Sequence, residues 1–348
     1  MTPVKERSFL SVFFLLLLVL DLAGCGSLSQ IWEDQRPLSV FYATDRARTG
    51  SSEPKSFYGS VRGPLEYGSC GVAVPPKHRI AKLEQPFLRF HPVRHFTLLQ
   101  VDTLGRRRFF GELARFMENE QQKTALVFVH GYNSSFKGAI LRMAQITHDL
   151  DFKGVSLVYS WPSQSSIREY RADELSVGAS GYALYSFLVD LAEHSGTDGI
   201  YLLAHSMGNR ALTAAFARLA TERSDLLFRF KALVLAAPDI DADYFKTVVA
   251  PSITGKGVPI TLYASRSDRA LLFSKDLHGA RRAGEVRGTP VVLSGIETID
   301  VSEVSDDLLG HSYYGHSRPV LSDMFYIITN GIRSEEHTSE LQSLGRIS

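Results

Sequence analysis

The chain has 348 residues, 44% hydrophobic and 22% charged, with a formal net charge of +1. That length and apolar share suit one large globular domain or two small ones with a sizeable core. A near-neutral balance without a long run of like charge argues against nucleic acid as a partner.

The first segment, MTPVKERSFLSVFFLLLLVLDLAGCGS, places Lys5 and Arg7 ahead of an apolar run from Phe9 to Leu20, followed by small residues before Cys25. This is the three-part organisation of a secretory signal. The run of about a dozen apolar residues falls short of the ~20 that a spanning helix needs. LAGC at 22–25 resembles the lipobox of bacterial lipoproteins. The resemblance implies a signal peptide over 1–24, acylation of Cys25 as a membrane anchor, and a tether over 25–37. Gly26 is not an aspartate retention signal, which by the same resemblance implies the periplasmic face of the outer membrane in the cell envelope. With Cys25 lipidated, Cys70 has no intramolecular partner and no disulfide framework is expected.

The globular domain is expected over 38–332. LSVFYAT (38–44) and HFTLLQV (95–101) read as strands that extend a sheet, joined by a segment whose first part, Gly50 to Pro76, is rich in Gly and Pro. ALVFVHGY (125–132), GVSLVYSW (154–161), GIYLLAHS (199–206), ALVLAAPD (232–239) and VPITLYAS (258–265) are continuous apolar runs. Continuity rather than alternation marks strands buried on both faces, as in a parallel sheet. Between them Phe136, Ile140, Met143 and Thr147 recur at helical spacing, as do Leu184, Phe187, Leu188 and Leu191, and then Leu212, Ala215, Phe216 and Leu219. The order predicts an α/β fold, a three-layer α/β/α sandwich with a mostly parallel, doubly wound sheet. The polar stretch 163–180 is a candidate part of a cap over the site, GIETIDVS (295–302) is the expected last strand, and a closing helix is expected from Pro319 to Asn330. RSEEHTSELQS (333–343) reads as the in-frame translation of a sequencing-library adapter, so 333–348 is set outside the expected fold.

Ligands gather at the carboxyl ends of such strands. The residues there are His130-Gly131-Tyr132-Asn133, Trp161-Pro162, His205-Ser206-Met207-Gly208, Pro238-Asp239 and Ser265-Arg266-Ser267-Asp268. A serine on a tight strand-to-helix turn needs small residues two positions before and after it, because the strained backbone leaves no room for larger ones. Ala204 and Gly208 meet that need around Ser206, between the strand IYLL and the helical NRALTAAFARLA. Ser206 is therefore read as a nucleophile, with a plain helix N-cap as the competing use of its hydroxyl.

FVHGYN, YSWPS, LLAHSMGNRAL, LAAPDID, LYASRSDRAL and GHSYY, in this order from about Val40 to Ile332, resemble the α/β-hydrolase superfamily. More narrowly, they resemble a bacterial family of esterase- and lipase-like proteins known as a domain of unknown function. The resemblance implies a Ser-acid-His order along the chain. Asp268 holds the acid position that the superfamily uses most often and Asp239 holds a variant one, and each competes with a helix N-cap use, before RALLFSKDL and in PDIDADYF respectively. For the base, His311 heads the HSYY segment and His316 is the alternative; His205 is expected to shape the turn. The backbone N–H groups of Tyr132 and Met207 are the expected oxyanion donors, with Gly131 letting the backbone approach the substrate carbonyl.

No HExxH, paired CxxC or other ligand-spaced cluster appears, so neither metal nor cofactor is expected. The expected activity is a lipid-anchored serine hydrolase acting on small or medium acyl esters through an acyl-enzyme, the ester being the default bond because amide, thioester and acyl-transfer chemistry use the same machinery. The competing expectation is an envelope lipoprotein that uses the same fold as a binding or scaffold module.

Overall fold

The continuous apolar runs form the middle of one mixed sheet. The computed structural model describes residues 37–86, 91–120, 122–288, 290–304, 311–330 and 345–346. The signal segment, Cys25 and the tether up to residue 36 lie outside the described residues, as does all of 333–348 except Gly345 and Arg346.

The strands are β1 (Leu38–Arg48), β2 (Tyr58–Ala73), β3 (Thr97–Leu104), β4 (Thr124–Val129), β5 (Val155–Ser160), β6 (Gly199–His205), β7 (Phe230–Ala236), β8 (Ile260–Ala264), β9 (Glu297–Asp300) and the two-residue β10 (Gly345–Arg346). They lie in the order β10-β9-β8-β7-β6-β4-β5-β1-β2-β3. Pairing is parallel from β9 through to β1. It is antiparallel at β1–β2, β2–β3 and β9–β10. β10 falls in the segment set apart as adapter-like, and its pairing is the kind that any exposed backbone makes with an open sheet edge.

Side chains alternate across the sheet with period two. Ala125, Val127 and Val129 of β4 face one core with Phe109 and Leu113 of α1 (Arg106–Glu118), Leu184 and Phe187 of α3 (Tyr170–His194), and Leu212 and Phe216 of α4 (Gly208–Glu222). Leu126 and Phe128 face the other, with Ile140 and Met143 of α2 (Phe136–Asp149), Leu271 of α5 (Arg269–His278) and Val320 of α6 (Arg318–Phe325). Each such fully buried side chain contributes about 1.5–3 kcal/mol. α3 has the length and apolar content of a membrane span. Val177, Leu184, Phe187, Leu188 and Leu191 are nevertheless buried against the sheet, so that hydrophobicity belongs to the core.

Three elements differ from expectation. Gly50 to Pro76 is not just a connection, because 16 of its residues form β2. Its glycines disguise the strand pattern, and Gly68 is there for space: a Cβ would lie 2.0 Å from the Asp102 carbonyl and 2.3 Å from Tyr42 Oη. α1 went unread because it opens on three arginines after Gly105, which offers no capping side chain. Its buried Phe109, Phe110, Leu113 and Met117 carry the helical spacing. The polar stretch 163–180 is the first part of α3 and the turn leading to it, with Asp173 buried inside. The closing helix runs as α6 and continues as a wider turn to Asn330.

The chain leaves β4 for β5 on one side, then crosses back through α3 to β6 on the other. This reversal makes the crevice at the carboxyl ends of β4 and β6 the natural ligand position. Backbone strain collects there. Of six non-glycine residues with left-handed φ among the described residues, Asn133, Ser165, Ser206 and Ala237 follow β4, β5, β6 and β7. Such conformations cost about 1–3 kcal/mol each and cluster at working sites.

Gly68→Ala is expected to lower stability by about 2 kcal/mol or more through overpacking. Gly71→Ala, where a Cβ meets nothing closer than 3.6 Å, is the control, with a change inside about 1 kcal/mol. Urea midpoints for the two variants check this.

Candidate active site

Ser206 sits at φ 51° on the turn between β6 and α4. Its N–H donates to the Ala236 carbonyl at 2.9 Å, and its own carbonyl accepts from Asn209 N–H at 3.1 Å and Asn209 Nδ2 at 2.9 Å. The turn is compressed from both sides. A Cβ on Gly208 would stand 2.4 Å from the His130 carbonyl, and one on Gly131 would stand 2.8 Å from His205 Nδ1 and 2.9 Å from Ser206 Cβ. Ala204 and Met207 are fully buried. The N-cap of α4 is Met207, which makes no side-chain cap hydrogen bond.

The structure brings Asp268 and His311 to this turn. Asp268 is the N-cap of α5, with Oδ1 accepting from Leu271 N–H at 3.0 Å. Its two oxygens also lie 2.9 and 2.7 Å from His311 Nδ1, which donates to the carboxylate. Capping and pairing, which competed in the sequence, coexist. Burial pushes the Asp268 carboxyl above its usual range, and the His311 ring and the Leu271 N–H oppose that push. The His311 ring packs on His205, with centroids 4.5 Å apart, and its carbonyl accepts from His205 Nε2 at 2.9 Å. His205 stacks on Tyr314 at 4.2 Å, and burial together with His311 drives its pKa well down, keeping it neutral. It is thus a packing element of the turn, as expected.

The two alternatives are engaged elsewhere. Asp239 accepts from Tyr170 Oη and, at 2.6 Å, from Ser274 Oγ, with Arg282 Nε 3.4 Å away. The N-cap of the turn after it is Asp241, not Asp239. His316 Nε2 meets Arg142 Nη2 at 2.9 Å. Arg142 and Gln145 of α2 also reach the Gly315 carbonyl, tying down the turn that follows His311.

The loop after β4 faces the elbow. Neither Tyr132 N–H nor Met207 N–H takes part in a turn or loop hydrogen bond among the described residues. The rest of that loop is anchored by residues the sequence reading did not single out. Asp173, fully buried, accepts from Asn133 N–H at 3.1 Å, Ser163 Oγ at 2.6 Å and Gln164 N–H at 2.6 Å. Arg46, 1% exposed, donates to the Ser134 carbonyl at 2.7 Å. The available signal was period two along β1, which puts Arg46 on the face of Val40, Tyr42 and Thr44. Cys70 is a free thiol, buried between strands, and burial raises its pKa.

A mostly parallel sheet with a strained serine after β6, and a His–Asp pair from later loops packed on the neighbouring His205, is the arrangement of an α/β-hydrolase fold. Comparison with known families carries this further. The model of a family described as "Alpha/beta hydrolase of unknown function (DUF900)" matches residues 108–330, and the chain belongs to that family. It is also similar to "Uncharacterized protein alr1448" of Nostoc sp. (strain PCC 7120 / SAG 25.82 / UTEX 2576), at 27% identity over 27% of this chain and 31% of that protein. The matched region thus spans about a third of that relative's length.

His130 yields a pH prediction. Burial first, and the Arg46 charge second, lower its pKa from 6.5 to about 3. The unfolded chain therefore binds a proton that the folded one refuses between these values. Stability is complete above pH 6.5 and falls as the pH drops toward 3, with a slope near ~1.4 kcal/mol per pH unit for one such group. Urea midpoints between pH 7.5 and 4.5, wild type against His130→Asn, read the slope, which the variant should flatten.

Proposed function

We propose that this protein is a serine hydrolase that cleaves carboxylic esters of small or medium acyl groups through an acyl-enzyme, held at the bacterial cell envelope by a lipid on Cys25. The observation that supports the reading is the His311–Asp268 hydrogen bond, with the His311 ring packed on His205, the residue before left-handed Ser206.

A serine hydroxyl is a weak nucleophile near neutral pH and needs a base in reach. In the proposed cycle His311 takes the Ser206 proton as Oγ bonds to the ester carbonyl carbon, whose π electrons move to oxygen. Asp268 holds the ring through Nδ1 and balances the imidazolium that forms. A buried carboxylate suits this role, since low dielectric strengthens its hold on a transient positive neighbour. The N–H groups of Tyr132 and Met207 receive the oxyanion, each worth ~3 kcal/mol of barrier. Collapse expels the alcohol, which takes the proton from His311, and water then repeats the sequence on the acyl-enzyme. Acyl transfer of this kind needs no cofactor.

Fluorophosphonate labelling of the purified mature domain tests the reading. Wild type should label at Ser206, located by peptide mass spectrometry, and Ser206→Ala should not label at all. Asp268→Ala and His311→Ala should label slower by ~10³-fold or more. Side-chain changes at Tyr132 or Met207 should cost far less, because the proposed donors there are backbone groups. Folded wild type that stays unlabelled would sink the hydrolase reading and leave a scaffold or binding role for the fold.

A further inference from the structure

Arg46 is a buried cation in β1 whose five N–H groups all have acceptors. Nε donates to Ser160 Oγ at 2.9 Å, Nη1 to the carbonyls of Gly59 at 2.9 Å and Ser163 at 3.1 Å, and Nη2 to the Ser134 carbonyl at 2.7 Å. The remaining contact, at 3.3 Å, runs from Nη2 to His130 Nε2. Guanidinium donates and never accepts, so His130 must offer a lone pair at Nε2 and carry its proton on Nδ1. His130 Nδ1 lies 2.8 Å from the Gly131 carbonyl, an acceptor, which requires the same tautomer.

The opposite tautomer fares worse at two contacts. It would satisfy the Trp161 carbonyl, 3.1 Å from Nε2, while Ser160 Oγ, 3.2 Å from Nε2, can donate to one tautomer or accept from the other. It would also set Nε2–H against the guanidinium N–H and a bare Nδ1 against the Gly131 oxygen, leaving two buried groups unsatisfied at about 1–3 kcal/mol each. The ring has no freedom to turn away. It stacks on Trp161 at 4.9 Å, and the indole Nε1–H holds the His130 carbonyl at 2.7 Å.

The Gly131 carbonyl belongs to the same planar unit as Tyr132 N–H, and in a trans peptide the two point in opposite directions. A hydrogen bond that pulls the carbonyl toward His130 therefore sets where Tyr132 N–H points. We propose that Arg46 is a positioning residue for acyl transfer: by fixing the His130 tautomer it orients the Gly131–Tyr132 peptide and aims the oxyanion donor. Arg46 and Asp173 hold the next two residues of the same turn, Ser134 through its carbonyl and Asn133 through its N–H. The proposal rests on the serine hydrolase reading for its kinetic consequence, whereas the tautomer is a property of the folded protein whatever its activity.

Two experiments separate these. Long-range proton–nitrogen NMR on uniformly ¹⁵N-labelled protein, with His130→Asn to assign the signal, should show protonated Nδ1 and bare Nε2 in wild type. Protonated Nε2 would overturn the proposal without any kinetic measurement. Steady-state hydrolysis of p-nitrophenyl butyrate is the second. Arg46→Lys keeps the charge but cannot serve five acceptors, so kcat should fall, by up to the ~10²-fold that losing one oxyanion donor costs, with KM within about twofold. His130→Asn, whose amide N–H sits near the place of Nδ1–H, should keep more of kcat than His130→Gln, whose amide sits near Nε2. Equal losses in Asn and Gln variants that both fold, or an unchanged kcat in folded Arg46→Lys, would overturn the aiming role. If Arg46→Lys does not fold, the wild-type tautomer and the Asn–Gln comparison still decide. Wild type that neither labels with fluorophosphonate nor hydrolyses the ester fails the hydrolase reading, and with it the aiming role, while the NMR result stands apart.

Discussion

The left-handed backbone at Ser206 is the constraint around which the carboxyl end of the sheet is arranged. A non-glycine residue holds φ 51° only where its surroundings over-determine it. Gly208 and Gly131 let the β4 backbone and the following loop press directly on the turn. Asn209 and Ala236 take up the polar groups of the Ser206 peptide. The same close approach brings the Tyr132 peptide to the serine, so the strain and the proposed oxyanion donor are two results of one packing arrangement. Strained residues after β5 and β7 on either side show the demand extending to neighbouring turns.

Around that turn lie three buried carboxylates, distinguished by what neutralises them. A buried carboxylate must be paired or hydrogen-bonded, or it loses its charge. Asp173 is surrounded by backbone N–H groups and a serine hydroxyl, which makes it a loop anchor. Asp239 is held by Tyr170, Ser274 and Arg282, in a network extended by Arg210 and Glu174. Asp268 has an imidazole as its principal side-chain partner, and so its charge is coupled to a proton that can move. Type and position along the chain do not separate Asp239 from Asp268, since both follow strands and both stand before helical turns. Their partners do.

Much of the architecture was readable because burial on both faces leaves a one-dimensional trace. The runs at β4 to β8 are continuous in apolar residues, and the helices between them repeat at 3.6. Where that trace was interrupted the reading failed: in β2, where Gly63 and Gly68 answer to the close approach of β1 and β3, and in α1, whose charged start hides a buried face. The elbow was legible for the opposite reason. Its requirement for small residues at fixed offsets is local, so Ala204 and Gly208 announce it without any tertiary information.

Sequence by itself determined the mostly parallel sheet class, the strained serine and the short set of candidate acids and bases. Local rules of burial, spacing and turn sterics act over a few residues, and a few residues are enough to state them. Tertiary structure decided which acid meets which histidine, and it revealed Arg46, His130 and Asp173 as one support for the loop after β4. Those contacts join residues 43, 84 and 40 positions apart. Pairings at such separations are set by where the strands stack in the sheet, which no local pattern encodes.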